Sequence, residues 1–251
     1  MSGHSHWAGI KHKKALVDAK KGKLWSKLAR AIIVAAKAGG GDPDANLRLR
    51  YAIDDAKAVS MPKDNIQRAI KKGTGELDGG NLEEVTYEGY GVGGVAILCE
   101  VLTDNRNRTA PEVRKVFEMS DGKLGSAGCV AWMFHNKGLL LVPADKVEED
   151  KLMELALEAG ADDVQRTGER FEITCDPAVF RDVRKALDDA GIPVDVGQIS
   201  RLPKNTVDLS DADTVRKVLK LMERLDDLDD VQNVSANFNI PDELMSQVGD
   251  V

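Results

Sequence analysis

Residues 139–200 read LLLVPADKVEEDKLMELALEAGADDVQRTGERFEITCDPAVFRDVRKALDDAGIPVDVGQIS. The spacing of apolar residues in this segment predicts a folded unit in the C-terminal half of the chain. Apolar residues at 139–142, near Val164, at 171–173 and at 194–199 predict four strands. Apolar residues at helical spacing over 152–159 and 179–187 predict two helices. The resulting order is βαββαβ, which is a complete ferredoxin-like unit.

The segments on either side of this unit each predict only part of a sheet. Residues 84–134 contain two strand-like segments joined by the glycine-rich residues 89–94, and residues 204–240 contain one helix and a last strand over 231–238. A phosphate-binding loop would lead from a strand into a helix, whereas residues 89–94 lead into a second strand, which favours a hairpin turn. We therefore expect the two segments to form one α+β domain into which the ferredoxin-like unit is inserted.

Charge divides the 251-residue chain into two unequal parts. Residues 1–72 hold 16 Lys and Arg against 6 Asp and Glu, a net charge of +10, which leaves 19 basic and 36 acidic residues and a net charge of −17 for residues 73–251. A basic end on a chain whose total charge is −7 favours a polyanionic partner for that end.

The basic third predicts helices. A helix over 23–38 ends at Gly39-Gly40-Gly41, Asp42-Pro43 has the N-cap and first-turn proline that begin a second helix, and Lys71-Lys72-Gly73 closes a third short helix. The fold class is thus an N-terminal helical bundle followed by two α+β domains, one ferredoxin-like and inserted in the other. The predicted divisions are a basic flexible tail (1–19), the basic helical bundle (20–80), an α+β domain (81–136 plus 204–240), the inserted domain (137–203) and a C-terminal tail (241–251).

Candidate nucleic-acid-binding residues occur in three places. One face of the first helix, opposite its apolar face, is a basic stripe that only Val34 interrupts. The tail supplies lysines for phosphates and one indole for stacking on unpaired bases. Two arginines directly precede Thr109-Ala110-Pro111-Glu112, which has the form of a helix capping box, and the alternative for these arginines is an Asx-type turn with solvated side chains. The candidates are Lys20, Lys23, Lys27, Arg30 and Lys37 in the stripe, Trp7, Lys11, Lys13 and Lys14 in the tail, and Arg106 and Arg108.

Other kinds of site receive little support from the sequence. His4, His6 and His12 stand among lysines that repel a metal cation, and the aspartates at 226, 227, 229 and 230 lack the spacing of an EF-hand, so we expect no metal and a solvated acidic face. We expect Cys99, Cys129 and Cys175 to be buried thiols. Catalytic motifs are absent from the sequence, which predicts a protein that is not an enzyme and needs no cofactor.

Targeting and assembly signals are also missing. The first residues lack the apolar stretch of a signal peptide, and no apolar run approaches the ~18 residues of a membrane span, so we expect a cytoplasmic protein without membrane contact. An exposed heptad pattern is lacking, which predicts a monomer.

Nine short motifs, in order along nearly the whole chain, resemble the YebC/PmpR family of transcriptional regulators. They are Gly3-His4-Ser5-x-Trp7, Ile10-Lys11-His12-Lys13-Lys14, Gly39-Gly40-x-Asp42-Pro43, Met61-Pro62-Lys63-Asp64, Arg68-Ala69-Ile70, Lys72-Gly73-Thr74-Gly75, Asp104-Asn105-Arg106-Asn107-Arg108-Thr109, Val130-Ala131-Trp132-Met133-Phe134 and Gln232-Asn233-Val234. The chain departs from the usual family pattern at His6 (usually Lys), Ser60 (usually Asn), Cys129 (usually Ser) and Ser235 (usually aromatic).

The resemblance implies a helical domain, two α+β domains and a non-enzymatic role in gene expression. One hypothesis is a regulator that binds duplex DNA through the basic stripe, although the sequence offers no obvious helix that reads base edges. The alternative is a ribosome-associated translation factor that binds ribosomal RNA or tRNA and relieves stalled synthesis at proline-rich sequences, because relatives of both kinds are described. A third class, a scaffold that binds another protein through the acidic domains, leaves the basic end unexplained.

Overall fold

The computed structural model describes residues 7–9, 21–78, 80–241 and Leu244, and it begins with a bundle of three helices. Helix α1 (Lys21–Gly39) packs against both α2 (Leu47–Ala58) and α3 (Lys63–Gly73). Their apolar faces form one core around the fully buried Ile32 and Leu49. Gly73 lets α3 approach α1 closely, because a Cβ atom at this position would lie 2.4 Å from the Ile33 carbonyl oxygen.

Helix α2 begins later than the sequence indicated. Asp42 and Pro43 form a turn, and the N-cap is the buried Asn46, whose side-chain oxygen accepts a hydrogen bond from the Leu49 amide at 3.1 Å. The Asn46 amide group donates at 2.8 Å to the carbonyl oxygens of Ala35 and Gly40, so one side chain caps α2 and ties it to the end of α1. The helix does not begin at Asp42-Pro43, as the sequence predicted, because Asn46 satisfies backbone groups at the start of α2 and at the end of α1.

The second domain is built on a four-stranded antiparallel sheet. Strands β1 (Glu83–Tyr90) and β2 (Ala96–Thr103) form the expected hairpin through a short 3-10 turn at Val92–Gly94. Helix α4 (Arg106–Glu118) and strand β3 (Lys123–Leu124) follow.

After the inserted unit, the chain returns to this domain through β8 (Val207–Asp208), α7 (Ala212–Asp226), β9 (Val231–Ala236) and β10 (Phe238–Asn239). Strand β9 pairs with β2, and β8 pairs with β10 in a separate two-stranded ladder. Residues of α4, α7, β2 and β9 share one core, so the two segments of sequence do form a single folded unit.

The inserted unit is ferredoxin-like, as the sequence predicted. It consists of β4 (Phe134–Pro143), α5 (Glu149–Glu158), β5 (Ala161–Thr167), β6 (Arg170–Cys175), α6 (Phe180–Asp189) and β7 (Val196–Pro203). The strand order is β5-β6-β4-β7 with antiparallel neighbours throughout. Its helices cover one face of the sheet, and β4 begins three residues before the predicted boundary at 137.

The N-terminal segment contradicts the expectation of a free tail at residues 7–9. Trp7 is 5% exposed and belongs to the core of the second domain, while Ala8 packs against Leu139 and Leu141 on the other face of the ferredoxin-like sheet. The remainder of the predicted tail, residues 1–6 and 10–19, lies outside the described residues, as do most of residues 241–251.

Two of the three cysteines are buried as expected, and Cys129 is only half-buried. Burial raises the pKa of the Cys175 thiol to about 11, which keeps it protonated near neutral pH. Within the part of the chain that the structure describes, no helix is long and apolar enough to cross a membrane.

Candidate nucleic-acid interface

The basic stripe of α1 contacts the end of α7 instead of facing solvent. Lys23 donates a hydrogen bond to the carbonyl oxygen of Asp227, the C-cap of α7, and Lys27 donates to that of Asp226, the last residue of the helix. Their ammonium groups also pair with carboxylates, at 3.5 Å between Lys23 Nζ and Asp229 Oδ1 and at 3.6 Å between Lys27 Nζ and Asp226 Oδ1. Cations are favoured there because the last carbonyls of a helix lack partners and lie at the negative end of its dipole.

Asp230 is the centre of this contact, and its side chain is only 4% exposed. Arg30 Nη1 lies 3.0 Å from Oδ1, and Arg108 Nη2 donates to Oδ2 at 2.7 Å. The hydroxyl groups of Thr109 and Thr103 lie 2.6 and 3.0 Å from the same Oδ2. Burial alone would raise the pKa of Asp230, but the hydrogen bonds from Thr109, Arg108 and Thr103 and the charge of Arg30 outweigh it and lower that pKa.

The prediction of a free basic face is therefore wrong for Lys23, Lys27 and Arg30, because each is bound to acceptors at or just after the end of α7. The prediction of a solvated acidic face is wrong for Asp226 and Asp230, whose side chains are 22% and 4% exposed, whereas Asp227 and Asp229 stay 55% and 77% exposed. The sequence did contain a signal, since the apolar Val34 that interrupts the stripe is 6% exposed in the structure. An apolar residue within a charged stripe indicates a face that packs on protein.

Arg106 and Arg108 lie in the first turn of α4, not in a loop before it. The N-cap is Asn105, whose side chain accepts from the Arg108 amide at 3.1 Å, so the predicted capping box at Thr109 is wrong. Thr109 is buried inside the helix, where its hydroxyl contacts Asp230. Arg108 is bound to Asp230 and Asp104, whereas the Arg106 side chain is 63% exposed and lies 3.9 Å from Glu83.

Helix α3 carries a group of basic side chains that form no ion pair with the described residues. Its inward face holds Ile66 and Ala69, and its outward side chains include Gln67 and one acid, Asp64. Within the described part of the chain, no carboxylate forms an ion pair with any of its four basic side chains. These are Lys63, Arg68, Lys71 and Lys72.

The remaining stripe residue of α1 extends this surface. Lys37 is exposed near the end of α1, and its Nζ donates to Asn81 Oδ1 at 3.1 Å. It lies one turn beyond Ile33 and directly after Ala36, the two residues that Gly73 at the end of α3 approaches. We call the set Lys37, Lys63, Arg68, Lys71 and Lys72 the α3 basic surface.

Trp7, another predicted site residue, does not lie on this surface. Trp7 is buried in the second domain and cannot stack on a base, because its apolar ring is covered by that core. Lys11, Lys13, Lys14 and Lys20 lie outside the described residues. His4, His6 and His12 also lie outside the described residues. The described residues contain no cluster of His, Cys, Asp and Glu that could hold a metal ion.

Sequence reasoning missed the α3 basic surface for a physical reason. Lys71 and Lys72 lie at the C-terminus of α3, where the helix dipole alone explains a cation without any partner. The available signal was the combination of inward Ile66, Ala69 and Ile70 with an outward face that carries four cations and one acid.

Sequence and structure comparisons place the whole chain in one family. The family model "TACO1/YebC protein N-terminal domain" matches residues 5–76, and "TACO1/YebC second and third domain" matches residues 82–238. Two proteins called "Probable transcriptional regulatory protein", from Rhodopirellula baltica and Geobacter sulfurreducens, are each 56% identical over 248 residues. The alignments cover 98% and 99% of this chain and 100% of both relatives.

A solved structure agrees with this assignment. The crystal structure of a conserved hypothetical protein from Aquifex aeolicus superposes with a TM-score of 0.83 at 52% sequence identity, and the match covers 94% of this chain and 98% of that one. The chain therefore belongs to the TACO1/YebC family.

Proposed function

We propose that this chain is a non-enzymatic, nucleic-acid-binding regulator of gene expression that acts as a cytoplasmic monomer and needs no cofactor. The observation that carries the proposal is the α3 basic surface. Its cations form no ion pair with acids among the described residues, and all but the half-buried Lys72 are exposed, although acids outnumber bases in the chain. The names of relatives 56% identical to this chain support transcriptional regulation as the process.

The surface has the chemistry of a phosphate-binding helix with some capacity to read bases. Lysines and arginines neutralise phosphates and release counterions, which supplies affinity without sequence preference. Arg68 and Gln67 are side-chain types that form paired hydrogen bonds with base edges in the major groove. Lys63, Gln67, Arg68 and Lys71 are exposed on one side of α3, so duplex DNA can approach this side of the helix.

Salt dependence tests the surface directly. Binding of a fluorescent duplex of about 20 base pairs should weaken with salt, with a slope of about −4 in log affinity against log salt for four to five phosphate contacts. The triple variant Lys63→Gln, Arg68→Gln, Lys71→Gln should reduce the magnitude of that slope by about 2 to 3 units.

A matched control variant distinguishes an effect of the α3 basic surface from an effect of the protein's net charge. The variant Lys115→Gln, Lys151→Gln, Lys220→Gln removes the same three charges from exposed helix positions of the other two domains. It should bind the duplex as the wild type does. Equal loss of affinity in both variants, or none in either, would remove α3 as the binding surface.

Ultraviolet crosslinking in cells, with separate DNase and RNase controls, identifies the class of nucleic acid. Reads from DNA clustered at promoters support the transcriptional role. Reads concentrated at one location of ribosomal RNA or tRNA would instead assign the chain to the alternative, a ribosome-associated translation factor. Crosslinks that are absent, or unchanged in the α3 triple variant, would count against nucleic-acid binding by this surface.

A further inference from the structure

The most exposed aromatic side chain described in the structure lies far from α3 in sequence, on a turn of the second domain. Trp132 is 62% exposed within the 3-10 turn Ala131–Met133. Its neighbours Val130 and Phe134 are buried against Ala96 and Leu98 of β2. The two buried neighbours fix the backbone of the turn, so the indole is displayed by a rigid support.

The buried carboxylate of Glu88 binds the backbone of this turn. Its two oxygens accept hydrogen bonds from the backbone amides of Gly128, Val130 and Ala131 at 2.6, 2.7 and 2.7 Å. Burial alone would raise the pKa of Glu88, but these three backbone hydrogen bonds outweigh it and lower that pKa. The carboxylate therefore stays charged near neutral pH and keeps the turn in place.

The Cys129 carbonyl orients two aromatic side chains. Trp132 Nε1 donates to this oxygen at 3.1 Å, and the Tyr90 hydroxyl donates to it at 3.3 Å. Tyr90 is itself 37% exposed. The polar atoms of both side chains are thus directed inward to one acceptor, which leaves apolar ring surface for a partner.

Two lysines border the aromatic pair. Lys123 is opposite Tyr90 in the register of β3 and β1, and cross-strand partners project to the same side of a sheet. The backbone amide of Lys204 donates to the Met133 carbonyl at 2.8 Å, next to Trp132. Both lysines are exposed, and no acidic partner is found for either among the described residues.

We propose that Trp132, flanked by Tyr90, Lys123 and Lys204, is a stacking surface for an unpaired base of RNA. A preoriented aromatic ring stacks on any base, and neighbouring lysines neutralise the adjoining phosphates. RNA is the occupant that fits, because its loops and bulges present unstacked bases. The lysines favour a polyanion over an uncharged proline-rich peptide, which an aromatic pair alone would also suit. This inference rests on the proposed nucleic-acid-binding function and adds a second surface to it.

The test measures binding of a fluorescent oligouridine of about 12 nucleotides and of an abasic oligonucleotide with the same length and charge. Trp132→Ala should weaken oligouridine binding by about 5- to 100-fold, and Trp132→Phe should restore most of it. Wild type should bind the abasic strand as weakly as Trp132→Ala binds oligouridine. Met119→Ala is the control, because Met119 is also 62% exposed but has no aromatic neighbour on a shared acceptor.

Each other result overturns the inference. Unchanged binding by Trp132→Ala, equal binding of the abasic strand, or tighter binding of the matched deoxy-oligomer would exclude a base-stacking site for RNA. Binding of an octaproline peptide in place of oligouridine would assign the surface to a peptide. Duplex binding that depends on α3, together with oligouridine binding that does not depend on Trp132, would refute this inference alone, whereas wild type that binds neither duplex nor oligouridine would refute the proposed function.

Discussion

Arg30 and Asp230 form an ion pair with 3.0 Å between Nη1 and Oδ1, and this pair joins the helical bundle to the second domain. The carboxylate of Asp230 is buried, while the Arg30 side chain is 27% exposed. Asp230 also forms an ion pair with Arg108 of α4 and directly precedes β9. A single buried carboxylate therefore fixes the position of α1 relative to α4 and β9.

Replacement of Asp230 with Asn should destabilise the protein by about 2–4 kcal/mol. The change leaves Arg30 and Arg108 opposite a neutral amide, and breaking a buried pair is expensive because the partner charge stays behind. The lower part of that range reflects the partial exposure of both arginines. Urea unfolding at neutral pH measures the loss. Asp189→Asn, which removes an exposed pair with Lys185, should change stability by less than about 0.5 kcal/mol, and similar losses in both variants would refute the central role of Asp230.

Stability should fall in acid through Glu88. The folded-state pKa of Glu88 lies below its ordinary value of 4.5, so the unfolded state binds more protons as the pH falls below that value. The stabilisation from the charged carboxylate is therefore complete above this range and is lost as the pH falls through the lowered pKa. Glu88→Gln should be less stable than wild type at neutral pH, with a difference that shrinks in acid. Urea midpoints between about pH 3 and pH 7 test this, and a constant difference would contradict it.

Ser60→Asn and Ser60→Gly should each stabilise the protein by about 0.5–1 kcal/mol. Ser60 has a φ of 58°, in the left-handed region where Gly and Asn are favoured, and Asn is the residue that the family resemblance implies here. Thermal unfolding reads the gain as a higher Tm. Ser126→Gly is the control, because the φ of Ser126 is not positive and glycine should bring no gain there. No rise in Tm for either Ser60 variant would show that the left-handed backbone is not strained.

Gly73→Ala should destabilise the helical bundle by about 1–3 kcal/mol, since the new methyl group would lie 2.4 Å from the Ile33 oxygen and 2.6 Å from the Ala36 Cβ. Gly22→Ala is the matched control in α1, because no atom of the described residues lies within 4 Å of its Cβ position. That control should stabilise by about 0.5–1 kcal/mol through helix propensity. Denaturant unfolding of the two variants should therefore give changes of opposite sign, and the same sign in both would contradict the close packing of α3 on α1.

Ser235→Ala should be neutral or stabilise by about 1 kcal/mol. The Ser235 hydroxyl is buried on β9, and the structure gives it no hydrogen-bond partner, so its removal relieves a desolvated polar group. Thr103→Val is the contrasting change, because it removes the hydroxyl beside Asp230 and should destabilise by about 1–2 kcal/mol. Urea unfolding of both variants checks the pair, and a loss in Ser235→Ala would indicate an unseen partner for the hydroxyl.

The elements that the sequence predicted well are those with a clear period. Alternating and helical spacing predicted the ferredoxin-like order and the hairpin at 89–94, and α1 runs over Lys21–Gly39 against an expected 23–38. Both misplaced helix starts involve competing caps, because Asn46 and Asn105 displaced the nearby Asp42 and Thr109 signals. Cap signals are short, so tertiary hydrogen bonds decide among them.

Local sequence patterns could not predict the contacts between domains. Lys23, Lys27 and Arg30 bind acceptors 199 to 204 residues away, and no period relates such distant positions. A lone Trp7 in a polar segment carries no periodicity either, so its burial in another domain had no local signal. For the candidate site, part of the stripe predicted from the sequence packs on protein, because the mutual neutralisation of α1 and α7 depends on the fold.

The ends of the ferredoxin-like unit are neighbours, since Phe134 at the start of β4 pairs with Pro203 at the end of β7. The unit therefore leaves and re-enters the second domain at one point, without interrupting the strand order β3-β1-β2-β9. A short turn between these two positions would bridge the same gap. In evolutionary terms, the third domain is a module that a single insertion or excision could add to or remove from a two-domain ancestor.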